Sequence, residues 1–260
     1  MFKRLSLPFL LFGLLCISPM GLTKTIVKVG GYPFAPYVTK SADGRYSGLT
    51  LDIINQLNQI QDKYQFTFVS TSSPYRYQAF SRNRFELMFF ENKMWGWQHA
   101  DFYTLPLPID DGEVYIAKHD PADPTDYFAD IASKKLVLVE GYHYNITNDL
   151  TDKATLKKKF DVTFVTNNHA SIEAILRGRG EVAPVTWSYL QHYFRENPQA
   201  KERIISSERW DQRYQHQVLL SHKAAISHDE LLFLLQELDK KGVLDELATN
   251  YQLSRKVSYR

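Results

Sequence analysis

Residues 27–57 constrain this chain more than any other stretch. They read VKVGGYPFAPYV, then a polar loop closing on Arg45-Tyr46-Ser47-Gly48, then LTLDIINQL. An apolar strand breaks at Gly30-Gly31 into a loop rich in aromatics and proline. Leu49, Ile53, Leu57 and Ile60 then recur at spacings of three and four, which predicts a helix with one apolar face. The loop is stiff, and it lies at the carboxyl end of a strand, where open α/β sheets hold ligands.

The rest of the chain continues this alternation. A helix over 48–63 leads to a strand at 65–70, which makes a right-handed parallel unit. Thr71-Ser72-Ser73-Pro74-Tyr75 sits at a second strand end and enters a helix carrying Arg76, Phe80 and Arg82. A strand at 85–90 opens into Glu91-Asn92-Lys93-Met94-Trp95-Gly96-Trp97, whose tryptophans either wall a site or plug the edge of the lobe. Residues 105–118 are extended, and the Asp- and Pro-rich segment 119–125 marks a loop. A second series follows, with strands at 135–139, 162–165 and 181–185 and helices over 148–160, 171–177 and 188–195. After a strand at 215–220 come helices at 227–240 and 243–251, the first opened by a Ser227/Glu230 capping box. Leu231, Leu234, Leu235 and Leu238 need apolar cover, so the chain is expected to cross back onto its first half. Two crossings imply a hinge.

The N-terminus stands apart. Lys3 and Arg4 precede an apolar run over 5–17, short of the roughly 20 residues that span a bilayer, and Ser18, Pro19 and Gly21 follow. Residues 1–23 therefore read as a secretory signal peptide, cut between 21 and 24, and the mature protein as periplasmic. Cys16 is the one cysteine and follows Leu15, which does not suit lipidation, so the mature chain has no thiol chemistry. Without Lys3 and Arg4 the basic residues number 29, equal to the 29 acidic ones, and nucleic acid is not an expected partner. The 8 histidines form no i, i+4 pair beside an acid, and neither a G-x-S-x-G elbow nor a phosphate loop occurs. No catalytic residue, metal or cofactor is assigned.

Signal peptide, VKVGGYPFAPYV, a glycine-led amphipathic helix, LVLVEGYHYN and the closing LLFLLQELDKKGVLDELATNY together resemble the extracytoplasmic solute-binding proteins of family 3. The resemblance covers the mature chain, from about residue 25 to 253, and implies the α/β, type II periplasmic-binding fold. Two lobes, 24–114 with 216–260 and 115–215, would be joined near 111–118 and 214–220 and close on a small-molecule solute. It also implies a non-enzymatic monomer that delivers its solute to an inner-membrane ABC permease. A sensor protein as membrane partner, or a dehydratase-like enzyme on the same fold, is the alternative.

Amino-acid binders of this family hold the α-carboxylate with an arginine shortly after the third strand and the α-ammonium with an acid of the second lobe. Here FFENKMWGWQHADF contains no arginine, and the acid positions hold Ala183 and Trp187 or Ser188. A free α-amino acid is therefore not the expected ligand. The predicted crevice is aromatic and acidic, with Tyr32, Phe34, Tyr37, Tyr75, Trp95, Trp97, Tyr142 and Trp187 around Glu91. Arg76, Gly141 and His143 complete the candidate ligand-binding set. Aromatic faces contribute roughly 0.5–2 kcal/mol each to a desolvated cation, which points to a cationic or aromatic solute.

Overall fold

The computed structural model describes residues 23–120 and 127–255, so the expected signal segment lies almost wholly outside it. Its first half runs through β1 (Thr25–Gly31), a hairpin of β2 (Thr39–Lys40) and β3 (Tyr46–Ser47), α1 (Leu49–Ile60), β4 (Tyr64–Ser70), α2 (Arg76–Ser81) and β5 (Leu87–Glu91). Gly48 sets the junction between the aromatic loop and α1. Its φ is 115°, and a Cβ there would lie 2.7 Å from the carbonyl oxygens of both Pro36 and Tyr37. Those two carbonyls accept the first amides of α1, from Leu49 at 3.3 Å and Thr50 at 2.9 Å, so the loop serves as the helix's N-terminal lid. The helix stops at Ile60, short of the expected 63, because Gln61 is extended and its side-chain amide donates to the carbonyls of Leu57 and Tyr64.

The chain then crosses on β6 (Phe102–Lys118) into β7 (Leu136–Val139), α3 (Lys153–Lys159), β8 (Val162–Val165), α4 (Asn168–Leu176), β9 (Val182–Thr186) and α5 (Trp187–Glu196). It returns on β10 (Ile204–Ser221) and ends in α6 (His228–Lys240), α7 (Val243–Asn250) and β11 (Ser254–Arg255). The strand order is β4-β1-β5-β10-β6-β9-β7-β8, with β11 added on β6. Each half therefore has the same design: three parallel strands in spatial order second, first, third, edged by an antiparallel strand that came from or leads to the other half.

Two further sequence expectations change. The helix expected over 148–160 begins only at Lys153, since Asn148 and Asp149 take positive φ and Asp152 caps the first turn by accepting from the Thr155 amide at 2.8 Å. The strand expected at 215–220 starts at Ile204, because the polar segment ahead of it pairs with β6 through its backbone.

Apolar packing also divides between the halves. One cluster joins Val27, Val29, Leu49, Ile53, Phe85 and Leu107 to the C-terminal Leu231, Leu235, Leu238 and Leu244. Two others hold Val114, Val137, Ile172, Ile175 and Val185, and Tyr115, Leu136 and Leu138. Each fully buried leucine contributes roughly 1.5–3 kcal/mol, so the leucine face of α6 fixes the C-terminus to the first half. The Ser227/Glu230 capping box forms, with the Glu230 amide donating to Ser227 Oγ at 3.2 Å.

Candidate functional site

The carboxyl ends of β1, β4 and β5 and of β7 and β9 face one another across the paired strands β6 and β10. Tyr32 and Phe34 from the loop after β1, Arg76 at the start of α2 and Trp95 after β5 meet Gly141, Tyr142 and His143 after β7 around one small cavity. Glu113 of β6 lines it too. The space is about 10 Å³, the room of a single water molecule. Phe34 packs edge-on to Tyr142 with centroids 5.5 Å apart and to Trp95 at 6.1 Å, so the aromatic walls come from both halves.

Direct bonds cross the cavity mouth. Ser73 Oγ donates to the Gly141 carbonyl at 2.9 Å, and the Tyr142 hydroxyl reaches the Pro33 carbonyl at 3.4 Å. The Tyr77 hydroxyl gives its proton to the Trp95 carbonyl at 2.6 Å, so His143 Nε2 is the donor in the 2.9 Å bond to Tyr77. Burial and the nearby Arg76 charge lower the His143 pKa to about 4, which keeps the ring neutral.

Arg76 and Glu91 deal with each other. Both are fully buried, and Arg76 Nε stands 3.3 Å from Glu91 Oε1. Trp97 Nε1 donates to Glu91 Oε2 at 2.8 Å, while the guanidinium donates to the Ser73 carbonyl and hydroxyl. Its carbon lies 4.3 Å from the Tyr77 ring centroid, 5.1 Å from Tyr32 and 5.9 Å from Trp97. Burial, the largest influence, disfavours the Arg76 charge, but the Glu91 carboxylate together with the Tyr32, Tyr77 and Tyr142 hydroxyls outweighs it and raises the pKa. For Glu91 burial prevails over the Arg76 charge, and its carboxyl is raised. The aromatic cage and acid that the sequence offered to a ligand cation thus already hold a cation of the protein's own.

The other buried acids are acceptors without a basic partner among the described ion pairs. Asp111 receives four donors, from Tyr37, from Gly112 N and from Ser188 N and Oγ. Asp211 is met by Tyr115 and by Asn145 and Ile146 amides. Glu113 is less well served: Oε1 accepts from Tyr214 at 2.9 Å and from Thr186 at 3.5 Å, and among the described residues no well-formed bond reaches Oε2, with Gln212 nearby. Burial, reinforced by the Asp111 charge, pushes the Glu113 carboxyl well up.

Of the twelve sequence candidates, Tyr32, Phe34, Arg76, Trp95, Gly141, Tyr142 and His143 line the cavity. Glu91 lies beneath it as the Arg76 counter-ion, and Trp97 is sealed in the first core at 1% exposure, the plugging alternative. Tyr37 stacks on Phe90 at 4.4 Å, one layer behind Phe34. Tyr75 turns away, 68% exposed, because α2 begins after it and buries Arg76 instead. Trp187 lies at a wider groove of about 620 Å³ with Asp110, Trp210 and Arg213. Glu113 was absent from the sequence set, although three acids, Asp110, Asp111 and Glu113, interrupt a largely apolar crossing strand.

No family model and no curated protein matches the sequence. Solved structures do match along most of the chain. A histidine kinase sensor domain with similarity to periplasmic binding proteins aligns with TM-score 0.68 at 15% identity, over 89% of this chain and 98% of its own. A putative ABC transporter binding component from Wolinella succinogenes, complexed with lysine, gives 0.64 at 13% identity over 88% and 96%. The ancestral amino acid-binding protein AncCDT-1, a precursor of cyclohexadienyl dehydratase, gives 0.63 at 15% over 87% and 94%. With its two like α/β lobes, two connecting strands and intervening cleft, the chain has the type II periplasmic-binding fold.

Proposed function

We propose that this chain is a periplasmic solute-binding protein, exported by a signal peptide over residues 1–23. Its lobes, residues 24–114 with 216–260 and residues 115–215, close on a small cationic or aromatic solute, and the closed monomer delivers it to an inner-membrane ABC importer. The observation that carries this reading is a cavity walled by aromatic side chains of both lobes and bridged by hydrogen bonds that exist only when the lobes meet. Closure of that kind converts ligand contacts into a shape that a membrane partner can read. Micromolar capture needs about 8 kcal/mol, within reach of a few polar contacts and aromatic faces.

The likeness to a histidine kinase sensor domain supports a second reading, in which the closed form signals to a receptor. A dehydratase-like enzyme is less well supported, since it needs a free cationic holder for a carboxylate and Arg76, the one arginine lining the cavity, is committed to Glu91.

A thermal-shift screen of the mature protein against amines, amino acids, organic acids and sugars tests the reading. A ligand at 100 times its Kd adds about 2.7 kcal/mol to stability. Trp95→Ala should abolish the shift and, because the ring is buried in the first core, melt lower without ligand while keeping wild-type secondary structure; a screen with no response, or a response unchanged in Trp95→Ala, overturns it. Uptake of the ligand by a deletion strain then separates import from sensing.

A further inference from the structure

Resting on the cleft proposed above, we infer that Glu113, backed by Thr186 and Asn168, is the anionic half-site that receives a protonated amine of the solute. The side chain is 3% exposed and lines the cavity, yet among the described residues Oε2 accepts no well-formed hydrogen bond. The Gln212 amide donates one N–H to the His143 carbonyl at 2.6 Å, and its second N–H, close to Glu113, makes no well-formed bond to Oε2. Beside it, Asn168 Nδ2 donates to Thr186 Oγ1 at 2.8 Å, and Thr186 leans on Glu113 Oε1. Asn168 Oδ1 is a second buried acceptor with no donor. Acceptors in excess of donors are what an ammonium group, with three donors and no acceptor, completes.

Charge points the same way. Asp111 and Asp211 face Glu113 from β6 and β10, and the other titratable groups acting around it are the neutral hydroxyls of Tyr37, Tyr142, Tyr144 and Tyr214. The arginine across the cavity is neutralised by Glu91. A buried carboxylate without a cation is costly and holds a proton instead. An entering ammonium displaces that proton, so binding should release it. An anionic solute would meet three acids and gain nothing.

Calorimetry on the purified mature protein tests this with 2-phenylethylamine, 1,5-diaminopentane and lysine against 2-phenylethanol, 1,5-pentanediol and glutarate. The expected result is binding of at least one amine, a binding enthalpy that varies with buffer ionisation in the sense of proton release, and at least a tenfold loss of affinity in Glu113→Gln. Ligand-free Glu113→Gln should melt no lower than wild type at pH 8, since it removes an uncompensated acid. The proton-release measurement needs no variant and stands if Glu113→Gln misfolds. Amine binding without proton release, amine binding unaffected by Glu113→Gln, or binding of only the neutral or acidic probes overturns the amine half-site and leaves the cleft reading standing. Failure of all six probes together with a silent broad screen overturns both.

Discussion

The Tyr37 hydroxyl donates to Asp111 Oδ2 at 2.6 Å, and Ser188 Oγ donates to the same oxygen at 2.5 Å. One carboxylate on the first crossing strand thereby ties the aromatic loop of the first lobe to the opening turn of α5 in the second. Hydrogen bonds to a charged group contribute about 1.5–3 kcal/mol. Tyr37→Phe should cost about that much by urea unfolding, and the Tyr37→Phe/Ser188→Ala pair should be non-additive because both serve one oxygen. Strict additivity would show that the two bonds act independently.

The Arg76–Glu91 pair changes what a substitution at Glu91 can report. Removing one partner of a buried pair leaves the other charge without compensation and costs about 3–5 kcal/mol. Glu91→Ala is expected to lower Tm by many degrees and so cannot serve as a clean ligand-site variant, whereas Arg76→Met/Glu91→Leu should recover most of the loss. A Glu91→Ala protein as stable as wild type would mean that the pair does not form.

His216 lies in a box of Phe34, Tyr37, Phe90, Trp95 and Tyr214 rings. Neither ring nitrogen has a well-formed hydrogen bond, and burial lowers its pKa from 6.5 to about 3, only weakly opposed by the Phe90 main chain. A depressed folded pKa gives stability that is present above pH 6.5 and lost as pH falls toward 3. Glu91, Asp111 and Glu113, all raised by burial, act in the opposite sense as pH climbs above about 4.5. Between pH 7 and 5 wild type should therefore lose about 2 kcal/mol more than His216→Phe. Parallel losses in the two proteins would show that His216 is not held neutral by the fold.

Much of the architecture was legible in the sequence because it rests on short-range signals. Period-four leucines, the glycine before α1 and the Ser227/Glu230 pair each act through neighbours in the chain. Tyr32, Phe34, Trp95 and Tyr142 could be found because aromatics at strand ends have few other places to go. The ownership of charge could not: Arg76 and Glu91 are 15 positions apart and meet only once α2 folds over β5. Glu113 stayed hidden because its partners, Thr186 and Tyr214, come from β9 and β10, far along the chain. The long start of β10 was missed for a related reason, since backbone pairing with β6 needs no apolar alternation.

Gly141 offers a direct test of closure. Its φ is +78°, and a Cβ there would come within 3.0 Å of Ser73 Oγ and 3.1 Å of Pro74 Cγ and N, all on the opposite lobe. An alanine must take a left-handed conformation, which costs roughly 1–2 kcal/mol, and must also push against the Pro74 backbone. Neither cost falls on the packing inside a lobe, and separating the lobes relieves the contact. Gly141→Ala should therefore keep wild-type secondary structure, show a larger radius of gyration in small-angle scattering, and bind any cleft ligand more weakly by the fraction of closed molecules lost. Unchanged scattering with unchanged affinity would mean that the Ser73–Gly141 contact is not what brings the lobes together.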